Sequence, residues 1–138
     1  MPADCPFCAI VADEAPVSVV HTDDETLAFL DINPINEGHT LVIPTAHYEG
    51  LAGLPSATGE RLFQIGQKIA TALRTASVPT DGINLLLADG AVAGQEVFHV
   101  HLHVIPRTAT DDMRLDAPRA SPDRDELDGL ATDIASNL

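Results

Sequence analysis

The sequence predicts one domain that mixes β-strands with α-helices. Three observations carry that reading. At 138 residues the chain has the length of a single domain, about 150 residues. Hydrophobic residues make up 45% and charged residues 20%, a globular balance that can fill an ordinary core. Five short strand-like runs and two helical stripes are separated by turn residues. No internal repeat and no low-complexity tract interrupts them.

The elements follow in order. Ser18-Val19-Val20-His21 reads as a short strand, Asp23-Asp24 as a turn, and Thr26 to Leu30 as the return strand. Asn33 to Gly38 is turn chemistry. Thr40 to Ile43 makes a third strand, stopped by Pro44, which has no N–H for a ladder. From 56 to 75, Leu62, Ile65, Ile69 and Leu73 recur at helical spacing, with Ser56 placed to cap the start. Ile83 to Leu87 is a fourth strand, and Ala88 to Gly94 a loop of mostly small residues. Val97 to Ile105 is a fifth strand, ended by Pro106. Residues 1–107 thus form the main domain. Residues 108–138 form a loop and then an amphipathic helix, with Ser121 as its cap and Pro122 at its first position. Leu127, Leu130, Ile134 and Leu138 make its apolar stripe, expected to pack on the same domain or against a second copy.

Composition excludes several functions. Seven bases against 21 acids leave a net charge of −14. There is no basic footprint for nucleic acid, and an anionic membrane surface would repel the chain. No apolar run approaches the ~20 residues of a membrane span. The N-terminus Met1-Pro2-Ala3-Asp4-Cys5 has no basic region before an apolar stretch, so no secretory signal is expected there. So many carboxylates on a small domain repel one another in dilute salt, whereas at 1 M the screening length falls to ~3 Å. A halophilic source is the expectation. Two cysteines, Cys5 and Cys8, form a C-x-x-C. In a cytoplasmic chain that spacing points to metal or redox chemistry more than to a structural disulfide.

The densest chemical signal is Gly94-Gln95-Glu96-Val97-Phe98-His99-Val100-His101-Leu102-His103-Val104-Ile105-Pro106-Arg107. Side chains alternate faces along a strand. His99, His101 and His103 would share one face, successive imidazoles about 7 Å apart. Phe98, Val100, Leu102 and Val104 would share the core face. Two chemistries suit three such histidines. One is a metal site with an open position for water. The other is nucleophilic catalysis by a neutral imidazole, since an unperturbed histidine has a pKa of about 6.5. The small-residue loop before Gln95, where backbone N–H groups can approach an anion, favours the second.

This block, G-Q-x-V-x-H-x-H-x-H-x-x-P-R, resembles the signature of the histidine-triad (HIT) family of nucleotide hydrolases and transferases. Leu27-Ala28-Phe29-Leu30-Asp31-Ile32-Asn33-Pro34 and Gly38-His39-Thr40-Leu41-Val42-Ile43-Pro44 are similar to the same family. The likeness runs from about Cys5 to Arg107; the tail resembles nothing identifiable. It implies an α+β fold, a five-stranded antiparallel sheet with flanking helices, usually paired into a homodimer. The implied substrate is a purine nucleoside 5′-phosphate carrying a leaving group on the α-phosphorus. The resemblance makes His101 the nucleophile, with His103 against the phosphate or leaving group and His99 orienting His101. Asp31 would accept from ribose hydroxyls. Phe29 and Ile32 would touch the base, with Phe7 and Ile10 beside them. Gly94, Gln95, Glu96 and Val97 would hold the α-phosphate and leaving group.

Two positions depart from the family pattern. Ala88 stands where Asn or Gln is frequent near the phosphate, and Glu96 where Ser or Thr is frequent. Some prokaryotic members bind structural zinc through two N-terminal cysteines, a histidine after I-P-x-x-H and the first triad histidine. Those positions match Cys5, Cys8, His47 and His99. His39 reads as structural or turn-bonding and His21 as a surface residue. A nucleotide-binding module with little turnover and a three-histidine metalloenzyme stay open as alternatives.

Overall fold

The computed structural model describes residues 2–138; Met1 of the expected domain lies outside the described residues. The elements are α1 (Pro6–Val11), β1 (Val19–Thr22), β2 (Thr26–Leu30), β3 (Thr40–Pro44), α2 (Ser56–Thr75), β4 (Gly82–Leu87), β5 (Leu102–Arg107) and α3 (Arg124–Ser136), with 3₁₀ turns at Leu51–Gly53 and Ala91–Ala93. The five strands form one antiparallel sheet in the order β1-β2-β3-β5-β4. Among the described residues no helix is long and apolar enough to cross a membrane.

Strand alternation divides the core between the two faces of the sheet. Ala28, Val42, Leu102 and Val104 face α2 and pack on Leu62, Ile65, Ile69 and Leu73. Each leucine, isoleucine or valine among these contributes about 1.5–3 kcal/mol on burial. Leu27, Phe29, Leu41 and Ile43 face the other way, against Cys5, Phe7 and Cys8 of the α1 region. Covered on both faces, β2 and β3 read as nearly continuous apolar runs. At Gly66 the helix approaches the sheet so closely that a Cβ would lie 2.8 Å from Leu102 Cδ2. Gly38 turns the chain into β3 at φ +89°, a region that favours glycine.

Several boundaries differ from expectation. Pro55, not Ser56, occupies the cap position of α2, and Ser56 is its first residue. β3 includes Pro44, which pairs with Thr26 at the strand end. β5 begins at Leu102 rather than Val97, and runs through Pro106 to Arg107. The β3–β5 ladder stops at Val42↔Leu102. Beyond it the Pro44 carbonyl accepts from the His99 ring at 2.8 Å, and Val100 N–H donates to Tyr48 at 2.7 Å. The run 97–101 is therefore irregular. Phe98, expected in the core, is 48% exposed there.

The tail is tied down only at its root. Asp111 takes both arms of Arg107, at 2.7 and 3.0 Å, and accepts from Asn36 Nδ2 at 2.9 Å and Thr108 N–H at 3.0 Å. Arg107 also donates to Asn84 and to the Met113 carbonyl. Helix α3 is capped by Asp123, which accepts from Glu126 N–H at 2.9 Å, rather than by Ser121. It buries none of its residues. The expected stripe is present, but Leu130 is 57% and Ile134 63% exposed, so it does not pack on its own domain.

Candidate active site and metal centre

The sequence read the three histidines as one row. The structure sends each to a different partner set. His99 is fully buried, and its ring lies with the cysteines. His101 and His103 border a cleft of about 1050 Å³ on the α1 side of the sheet. Their ring centroids lie 4.9 Å apart, closer than the spacing expected of a regular strand. No group of mutually close ligand atoms among the described residues joins all three. The three-histidine metal site is thus not formed.

His101 is held from two sides. Its Nδ1 lies 2.7 Å from the carbonyl oxygen of His99. A carbonyl only accepts, so Nδ1 carries the hydrogen and Nε2 keeps a free lone pair. Phe7 packs edge-on at 5.1 Å between centroids, with an interplanar angle of 88°. The contact with His99 is to its main-chain carbonyl rather than to its ring.

The cleft wall comes from the sheet register. Phe29 opposes Leu41, Leu41 opposes His103, and His103 opposes Leu86. One row of side chains thus faces the cleft, and α1 adds Phe7 and Ile10. Asp31 follows β2; its Oδ1 accepts from Asn33 N–H at 2.9 Å. Ile32 sits at the rim, 90% exposed. Gly94, Glu96, Val97 and Ala88 form the opposite wall. Among the described residues no lysine or arginine lines the cleft.

Gln95 is the exception among the expected nucleotide contacts. It is buried and turned away from the cleft. Its Oε1 accepts from Gly90 N–H at 2.8 Å, while Nε2 donates to the carbonyls of Glu49 and Val97 at 2.8 and 3.1 Å. It shapes the loop beside the cleft instead of reaching into it.

His39 was read as structural, and the structure adds it to the cleft. Its Nδ1 accepts from Ile35 N–H at 3.0 Å, and its Nε2 lies 2.9 Å from His103 Nδ1 and 3.6 Å from Asp31 Oδ2. Burial pushes the His103 pKa down to about 4; the neighbouring His101 and His39 add to this, against the pull of Asp31. Burial also lowers His39, again against Asp31. His21, read as a surface residue, is half-buried and bonds Asp23 at 2.8 Å.

Cys5, Cys8, His47 and His99 converge behind His101. The separations are 3.5 Å for Cys5 Sγ–His99 Nδ1, 3.3 Å for Cys8 Sγ–His47 Nδ1, 3.6 Å for Cys8 Sγ–His99 Nδ1 and 3.2 Å between the two Nδ1 atoms. A tetrahedral zinc with Zn–N of about 2.05 Å and Zn–S of about 2.3 Å would set N–N at about 3.3 Å and S–N at about 3.5 Å. These four separations match. The tautomer matches as well: His99 Nε2 donates to the Pro44 carbonyl, which leaves Nδ1 free as a ligand. A zinc ion held by all four side chains would have no open position for water.

Comparison with known proteins agrees with this geometry. A family model of the HIT domain matches residues 12–110. A HIT-like protein of Borreliella burgdorferi is 51% identical over 109 residues, 78% of each chain. An adenylylsulfatase of Arabidopsis thaliana is 40% identical over 108 residues, which is 78% of this chain and 54% of the relative. The crystal structure of a HIT family protein from Bacillus anthracis superposes with a TM-score of 0.91 at 35% identity, over 100% of this chain and 99% of that one. A zinc-bound histidine triad family protein from Mycobacterium smegmatis superposes at 0.78 with 40% identity, over 98% of both. The sheet order and the matched span leave one assignment: the chain belongs to the histidine-triad family.

Proposed function

We propose that the chain is a nucleotide hydrolase or transferase that cleaves a nucleoside 5′-phosphate derivative at the α-phosphorus. The observation that carries this is His101. Its Nδ1 hydrogen is committed to the His99 carbonyl, and the ring borders a cleft of nucleotide size. A positioned neutral imidazole can attack phosphorus through Nε2 and form a covalent nucleotidyl-histidine. Water then releases the nucleoside monophosphate. Phe29 and Ile32 contact the base, a purine by the family's habit, and Asp31 accepts from the ribose. Main-chain groups of Gly94 to Val97 hold the phosphate. The Arabidopsis relative, an adenylylsulfatase, supports an adenylyl substrate.

Cys5, Cys8, His47 and His99 would hold zinc in a structural role. Zinc, when bound, supplies a cross-link that fixes His99 and hence the carbonyl behind His101. Two free cysteines used as ligands suit the reducing cytoplasm. The uncovered stripe of α3 supports a homodimer.

The test is AMP release, with mass-spectrometric search for an adenylyl group on His101, comparing wild type and His101→Ala. Several adenylyl donors are offered: a phosphosulfate, a phosphoramidate and a dinucleoside polyphosphate. Turnover and adduct in wild type, both lost in the variant, are expected. The second reading, a binding module with little turnover, rests on Glu96, an acidic residue among those that line the cleft. Nucleotide binding to both proteins with no AMP from any donor would establish it and overturn the first.

A further inference from the structure

Helix α1 touches both the cysteine–histidine cluster and the cleft. Cys5 and Cys8, three residues apart, meet His47 and His99. Phe7 and Ile10, also three apart and so on one face, line the cleft. Among the described residues, none of the four possible metal ligands lines the cleft itself. The two sites therefore share an element and no side chain.

The polar ties of α1 to the rest of the fold are few. Among the described residues, every hydrogen bond from 2–14 to the remainder of the chain runs through a cysteine sulfur, to His47 or His99. The other bonds of the segment close on itself, as Cys5 N–H does on Pro2, Ala9 N–H on Cys5 and Ala12 N–H on Cys8. Its acids, Asp4, Asp13 and Glu14, join none of the described ion pairs. A helix of six residues is far below the ~12–15 that persist alone in water. What remains is apolar packing: Phe7 is buried, edge-on to Phe29 at 5.5 Å and to His101 at 5.1 Å. The facing wall is of another kind. Phe29, Leu41 and His103 are fixed by the β2–β3 and β3–β5 ladders. One wall of the cleft is thus built into the sheet, and the other depends on how α1 is seated.

Resting on the readings of a nucleotide in the cleft and zinc at the cysteines, we propose that α1 couples the two sites, so that nucleotide and zinc each bind more tightly when the other is present. Cys5 and Cys8, held to His47 and His99 through the metal, seat α1 against the sheet. Phe7 and Ile10 then complete the cleft. When the cysteines lose that link, only a fraction of the chains keeps α1 seated, and the apparent nucleotide Kd rises by the inverse of that fraction. Such coupling is reciprocal: the factor by which zinc tightens the nucleotide is the factor by which the nucleotide tightens zinc. A competing route runs from the His99 carbonyl to His101 Nδ1. It does not involve α1, and a variant of His101 separates the two.

The experiment measures the Kd of AMP by calorimetry on zinc-loaded and chelator-stripped protein. Zinc affinity is measured by competition with a chromophoric chelator, with and without saturating AMP. Each ligand is expected to tighten the other by the same factor, about tenfold. Hydrogen exchange supplies the structural readout. The Ala9 and Ala12 amides should exchange faster in stripped protein while β2, β3 and β5 keep their protection, and AMP should slow the two amides again. Cys8→Ser should show the stripped Kd at any zinc concentration. His101→Ala should keep the factor, because its α1 is intact. Ile10→Ala should weaken AMP in the loaded protein and shrink the factor, and Phe7→Ala should shrink it further. Should Phe7→Ala fail to fold, Ile10→Ala carries the test. A purely structural zinc would raise the thermal midpoint and leave the AMP Kd unmoved. Equal AMP affinities with and without zinc, a factor lost in His101→Ala or kept in full by Ile10→Ala, or a sheet that loses protection together with α1 would each overturn the proposal. Wild type that binds no zinc overturns the metal reading, and loaded protein that binds no AMP overturns the nucleotide reading; the coupling falls with either.

Discussion

Asp111 illustrates how one carboxylate can anchor a segment. It accepts from Arg107 twice, from Asn36 and from the Thr108 amide. These bonds, the Arg107 ones foremost, hold its carboxyl well below the usual carboxylate range. Its folded pKa lies below the unfolded value of about 3.9. The stabilisation is therefore fully present above that value and is lost as pH falls through the folded one. Asp111→Asn should be less stable than wild type at pH 7, with the gap closing below about pH 4. Urea midpoints at pH 7, 5 and 3 would check this; a gap that widens at low pH would refute it. The cluster of Cys5, Cys8, His47 and His99, which could hold a metal ion, gives a second prediction at this scale. Cys8→Ser should drop bound zinc from one ion per chain to near none. It should also lower the thermal midpoint, because a structural metal contributes folding energy directly. Metal analysis beside a melting curve decides it. Zinc retained in full would mean that Cys8 is not a ligand.

Elements differ in how much of their stability is local. Helix α2 runs from Ser56 to Thr75, as its apolar spacing predicts, and it inserts Ile65 between the sheet and the helix core. Ile65→Ala should cost about 2–5 kcal/mol, read as a lowered denaturant midpoint with unchanged slope. Helix α3 has an equally clear period and buries nothing. Leu130→Glu should leave the fold within about 0.5 kcal/mol. If a second copy covers the stripe, the same change should convert the dimer to a monomer by sedimentation. These two helices show what periodicity can and cannot tell: it locates a face, and only tertiary packing decides whether that face is covered. β2 was legible because its apolar run is bounded by turn residues on both sides. The first half of the expected fifth strand was not. Its alternation continues through His99, but the Pro44 carbonyl, 55 residues away in sequence, takes the His99 ring and ends the ladder. His39 was missed for a similar reason. Its partner His103 lies 64 residues away, and only the β3–β5 register brings them together. That Cys5, Cys8, His47 and His99 come together was legible by resemblance, because the grouping needs residue types at positions rather than a regular backbone.

The whole molecule carries a charge that its contacts do little to offset. Arg107 and Arg61 pair with Asp111 and Asp23 on the body of the domain. Asp23 is also bonded by Thr26 and His21; burial pushes its carboxyl up, but these bonds outweigh burial and hold it below the usual range. On α3 the one ion pair, Arg124 with Asp128, is exposed on both sides. Such a pair is worth little. Most of the 21 acids therefore face water without a partner, against seven bases in all. Their mutual repulsion opposes the compact state at low ionic strength and is screened as the Debye length contracts from about 10 Å at 0.1 M to about 3 Å at 1 M. The thermal midpoint should rise steadily between about 0.1 and 1 M KCl. Most of that gain should come from charge screening, and KCl separates it from the general strengthening of apolar burial by sulfate salts. Replacing exposed acids of α3, Asp125→Asn with Asp133→Asn, should recover part of the gain without added salt. A midpoint that is flat from low to high KCl would mean that the acidic surface is a matter of solubility alone, and that the fold does not need salt.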